Sequence, residues 1–120
     1  MENYGVRTRQ FTSSLIAVLT VDGAAVGASY ASTGLDNGQH IAEVKKVGST
    51  FTFKFRRPMG LVPQAIAQPI TVDCVVRPSG TWTRDELEFT TYTLAGAGGA
   101  GTEDFTVLVF GTEGVIEGGR

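Results

Sequence analysis

His40 is the only histidine in the chain. A Ser–His–Asp triad needs a nucleophile on one side of the imidazole and an orienting acid on the other. Ser29, Ser32 and Asp36 stand close by in sequence, but no nucleophile-elbow motif surrounds them. His40 therefore reads as a solvated loop residue. Asp85, Glu86 and Glu88 are the densest acidic group. Paired carboxylates hydrolyse glycosides. Glu86 and Glu88, two apart on an extended run, read instead as the solvated face of a strand. A calcium site built from Asp85, Glu86 or Glu103 and Asp104 is the alternative, because loop carboxylates with carbonyls suit that ion.

Cys74 is the sole cysteine, so an intramolecular disulfide is impossible. It lies mid-run in Val72-Asp-Cys-Val-Val76, where period two puts it on one face with Val72 and Val76. It reads as a buried small hydrophobe, with a reactive thiol as the alternative. Gly96-Ala-Gly-Gly-Ala-Gly101 has the look of a phosphate loop but lacks the lysine and the following helix. A flexible strand connector is the expected role. Lys45, Lys46, Lys54, Arg56 and Arg57 form a basic group, read as a solvated face or as a contact for an acidic protein. Trp82, followed by Arg84 and Asp85, is the only tryptophan. In a loop it is a partner anchor, a sugar-stacking platform or a half-buried core residue.

The elements that must position these residues are short extended runs. Residues 14–21 are apolar and rich in Val, Ile and Thr, and Asp22-Gly23 closes them, which favours a buried strand over a short helix. Asp36-Asn-Gly38 signals a turn. Residues 41–47 read as a strand. Phe51, Phe53 and Phe55 point one way and Thr52, Lys54 and Arg56 the other, which is a half-buried strand. Further strands are predicted over 63–68, 71–77, 86–94 and 104–111. In 86–94, Leu87, Phe89 and Thr91 alternate with Glu88, Thr90 and Tyr92. No helix is predicted. Seven to nine short strands imply an all-β fold, an antiparallel β-sandwich or jelly-roll-like single domain. The expected organisation is an N-terminal arm with the first strands over 1–40, a sandwich core over 41–112 and a Gly-rich tail over 113–120.

Bulk composition narrows the function classes. At 120 residues the chain is one domain with one core. Charged residues make up 18%, below the roughly 25% usual for soluble domains. A charge-poor surface points to cover by another chain, or to a neutral Thr/Ser-rich β surface. The net charge of −2 argues against nucleic acid or anionic membrane as partner. The apolar run over 14–21 is too short for a membrane span, and no signal-peptide pattern is seen, so a cytosolic product is expected. No cofactor, metal or catalytic residue is expected.

The order of features adds a resemblance. Gly48-Ser-Thr-Phe-Thr-Phe-Lys-Phe55 leads to a Pro-bracketed connection and then to Pro63-Gln-Ala-Ile-Ala67. Residues 72–76 and the Phe-containing run 86–94 follow. After the Gly-rich turn comes Glu103-Asp-Phe-Thr-Val-Leu-Val-Phe-Gly111. This pattern, over residues 41–112, resembles the small trimeric β-sandwich domains of tailed-bacteriophage virions, found as capsid decoration (cement) proteins and at tail-fibre tips. The resemblance implies a homotrimer on a three-fold axis and no catalytic residue. It implies a decoration protein on the outer shell of the virion, with the major capsid protein as partner. The alternative is a receptor-binding tail module that recognises host glycans. Arg7, Arg9 and Phe11 in the arm, with Val115 and Ile116 in the tail, are the expected capsid contacts. Trp82, Arg84 and Asp85 form the candidate ligand or partner loop.

Overall fold

A computed structural model describes residues 14–25, 32–33 and 40–112. Among them are eight strands and no helix: β1 (Ser14–Val21), β2 (Ser32–Thr33), β3 (Ile41–Val47), β4 (Thr50–Phe55), β5 (Gln64–Pro69), β6 (Cys74–Pro78), β7 (Glu86–Thr93) and β8 (Phe105–Gly111). They form two four-stranded antiparallel sheets, ordered β2-β1-β8-β5 and β3-β4-β7-β6. Packed face to face, these make a β-sandwich. β1 sits between β2 and β8 and buries Ile16, Ala17, Leu19 and Val21. The sandwich therefore takes in residues before 41 as well as 41–112.

The alternation read from the sequence builds the core. Phe51, Phe53 and Phe55 of β4 and Leu87, Phe89 and Thr91 of β7 point inward from the second sheet. They meet Leu19, Val21, Phe105, Val107 and Val109 of the first. Phe51 stands edge-on to Phe105 with ring centroids 5.0 Å apart, and Phe53 does so to Phe89 at 6.0 Å. Edge-to-face pairs add about 1 kcal/mol each beyond the area they bury. A bulge between Leu15 and Ala17 turns two successive residues, Ile16 and Ala17, toward the core.

The strand predicted over 71–77 starts later than expected. Asp73 takes φ 61°, the left-handed conformation that asparagine and aspartate tolerate better than β-branched residues. The resulting turn places Val72 in solvent at 81% exposure, while Cys74 is buried. Val72 thus does not share the face of Cys74 and Val76, because the two-residue period begins only after Asp73. The Asp36-Asn-Gly38 turn lies outside the described residues, as do Ser29, Asp36, Arg7, Arg9, Phe11, Val115 and Ile116.

Candidate functional site

Two of the carboxylates considered for calcium, Glu103 and Asp104, accept hydrogen bonds from the chain's own donors. Glu103 Oε1 accepts hydrogen bonds from Thr91 Oγ1 and the Gly101 N–H, both at 2.9 Å. Its Oε2 accepts from the Ala100 N–H at 2.7 Å. Asp104 Oδ1 accepts from the Gly23 N–H at 3.0 Å. The cation nearby is Lys46, whose Nζ donates to the carbonyls of Gly23 (2.7 Å) and Gly101 (2.9 Å). One knot thus joins the turn after β1, the β3–β4 hairpin and the crossing from β7 to β8. Two glycines make it possible. A Cβ on Gly23 would lie 2.1 Å from the Glu103 carbonyl oxygen, and one on Gly101 2.2 Å from that of Gly48.

Burial pushes the Glu103 carboxyl pKa up, but hydrogen bonds from Thr91 and from the backbone of Ala100, Glu103 and Gly101 outweigh it. The net result lies below the ordinary carboxylate value. The glycine run is accordingly no free connector. Ala97 and Gly96 bond back to Thr93, and the Gly99 N–H donates to the Thr91 carbonyl at 2.9 Å. Among the described residues no group of three or more His, Cys, Asp or Glu is placed to hold a metal ion.

The loop before β7 is similarly internal in its bonding. Trp82 is half-buried, edge-on to Phe89 at 5.3 Å, and its Nε1 donates to the Glu88 carbonyl at 2.9 Å. Only the exposed part of the ring is left for a partner. Arg84 Nε donates to the Met59 carbonyl. Thr83 Oγ1 accepts from the Asp85 and Glu86 N–H groups, which turns the chain into β7. Asp85 and Arg84 are exposed. His40 is half-buried at the foot of β3, and its carbonyl accepts from the Arg56 N–H. Cys74 is buried and free, and burial, then the charge of Glu103, pushes its thiol pKa up, away from thiolate chemistry.

The two outer faces of the sandwich differ in chemistry. On the second sheet, Glu43, Lys54 and Glu86 stand side by side on β3, β4 and β7, with Lys45, Thr52 and Glu88 in the next row. Lys45 pairs with Glu43 at 3.4 Å and Lys54 with Glu86 at 3.9 Å. That is a solvent-facing ladder of alternating charge. The outer face of the first sheet bears no charge over β1, β8 and β5. One row is Leu15, Phe110 and Gln64; the next is Val18, Leu108 and Ile66; the third is Thr20, Thr106 and Gln68. Ile66 is 62% exposed and Leu15 41%. This face was not singled out from the sequence. Its signal was present: 14–21 and 104–111 are apolar on both alternating faces, the pattern of strands covered on both sides.

Ser14 pairs with Gly111, beside the Leu15–Phe110 pair at one end of this face. A separate shallow groove lies at the β6 edge of the second sheet, lined by Val75, Arg77, Tyr92, Thr93, Leu94 and Gly96. Comparisons with protein-family models, with curated proteins and with solved structures find no match for this chain.

Proposed function

We propose that this protein is a non-enzymatic component of a bacteriophage virion, a capsid decoration protein that seats the outer face of its first sheet on the shell. The observation that supports this reading most is the charge-free apolar face of Leu15, Val18, Leu108, Phe110 and Ile66, bordered by Thr and Gln. Such a face can be buried without stranding a charge. The opposite face, with its ladder of paired charges, is suited to solvent.

Size sets the mechanism. Three strands at ~4.8 Å spacing and five residues at ~3.4 Å rise cover roughly 250 Å². A standard interface buries about 800 Å² on each partner. One copy alone therefore binds weakly. A trimer, as the resemblance implies, engages several capsid subunits at once and gains avidity from effective concentration. Arg7, Arg9 and Phe11, with Val115 and Ile116, are the proposed further contacts to the capsid. Ligation of assembled shell, but not of separate subunits, shifts the equilibrium toward the shell by mass action.

Immunogold electron microscopy of virions from a lysate in which the protein is made tests the assignment. Label spread over the head is the expected result. Label confined to the tail tip would replace decoration by receptor binding, and virions without label would remove the virion reading altogether.

A further inference from the structure

We propose that the groove at the β6–β7 edge binds a saccharide bearing a carboxylate, such as a uronic acid. The groove lies on the charged outer face, opposite the face assigned to the shell, and its argument is independent of that assignment. β6 ends its sheet, and its outward residues are Val75 and Arg77, paired across the strands with Tyr92 and Thr90. Val76 between them packs on the core. Leu94 continues the outward alternation beyond β7 and is 68% exposed. Together with Thr93 and Gly96 these residues border an open groove of about 290 Å³, near the lower end of small-ligand sites, at about 300 Å³. That volume suits one or two sugar rings.

Three features define the ligand. The first is charge. Among the described residues, no carboxylate is ion-paired with Arg77. Glu88, on the same outward side of β7, accepts the Ser79 hydroxyl hydrogen bond at 2.8 Å. A lone guanidinium matches one carboxylate through two parallel N–H donors, whereas a phosphate site usually recruits several cations or a helix terminus. The second is the aromatic wall. Tyr92 is half-buried in the groove wall, and an aromatic ring offers an apolar face on which a pyranose C–H face can stack. The third is the mixture of floor and rim. Val75 and Leu94 are apolar, while the Arg77 guanidinium and the Tyr92 hydroxyl supply polar groups for sugar hydroxyls. An open, half-polar groove of this kind favours a hydrated ring over a fatty carboxylate. Gly96 holds φ 97° at the rim, and a Cβ there would meet open space, so ligand access is unobstructed on that side.

Titration of isotope-labelled protein with methyl glucuronide, followed by NMR, tests the proposal, with methyl glucoside as the neutral control. Saturable shifts of the Tyr92 ring and of the amides at 75–77 and 92–96 are expected. Arg77→Gln and the neutral glucoside should each weaken binding at least about tenfold, and Arg77→Lys less than Arg77→Gln, since the charge remains without the fork. Both substitutions lie on the surface, so unchanged spectra elsewhere will report an intact fold. Absence of saturable shifts, or equal binding by glucoside and glucuronide, would overturn the assignment. Equal shifts from a short peptide through its C-terminal carboxylate would overturn it too, in favour of a peptide site.

Discussion

Replacing Glu103 tests whether the knot of loops holds the two sheets together. In Glu103→Ala three donors lose their acceptor. Ala100 is exposed, so its N–H turns to water at little cost. Thr91 is fully buried but can fall back on the Ser49 carbonyl, 3.5 Å away, which puts its loss at about 1 kcal/mol. The Gly101 N–H is buried and left without a partner, at about 2 kcal/mol. The expected destabilisation is about 3 kcal/mol, or roughly 12 °C in melting temperature for a domain of this size. Urea unfolding followed by far-UV circular dichroism measures it. Thr91→Val in a double-mutant cycle with Glu103→Ala should return about 1 kcal/mol of coupling. The pH dependence supplies a second constraint. The folded Glu103 pKa is depressed, so its contribution is complete above the unfolded value of about 4.3 and is lost as pH falls through the folded one. Glu103→Gln does not titrate there. The advantage of the wild type over that variant should therefore be constant near neutrality and shrink below about pH 4. A loss under about 0.5 kcal/mol in Glu103→Ala, typical of an unconstrained surface site, or a wild-type advantage unchanged down to pH 3, would refute the reasoning.

Other expectations follow from the same geometry. Gly23→Ala drives a methyl group against the Glu103 carbonyl oxygen, which is backbone and cannot rotate away. It should cost about 3 kcal/mol, read by the same unfolding assay. Cys74 should react with a water-soluble maleimide only on the timescale of unfolding, because its thiol is buried and its pKa raised. Labelling of the native protein within minutes would contradict that. Deleting residues 1–9 should leave the circular dichroism spectrum and the oligomer mass unchanged while abolishing co-sedimentation with phage heads. Undiminished co-sedimentation would exclude the arm as a contact.

Much of the fold is visible in local pattern. β1 spans its apolar run, β3 ends where Gly48-Ser49 signals a turn, and the inward phenylalanines of β4 are announced by period two. What local pattern misses is long-range. Gly23 and Asp104 are 81 residues apart, and Lys46 and Gly101 are 55 apart. Lys46 therefore reads as one more surface lysine, and the glycine run as a slack connector. Thr71 and Val72 look like strand residues, yet the left-handed turn at Asp73 takes them out of the sheet. The apolar outer face escapes for a related reason. Leu108 and Phe110 are visible as apolar, but only the pairing of β8 with β1 and β5 sets them beside Leu15, Val18 and Ile66. Trp82 was open to several roles, and its hydrogen bond to Glu88 and its contact with Phe89 place it partly over the core.

The central claim is that the first sheet's outer face is the docking surface. Ile66→Lys and Leu108→Glu change only residues of that face, and cross-strand pairing of the two new charges keeps the double variant compatible with the fold. The decisive measurement is co-sedimentation of wild type and the double variant with phage heads stripped of this protein, alongside thermal melts of both. The account predicts a folded variant that no longer sediments with the heads. A folded variant that binds them as well as the wild type does would contradict it.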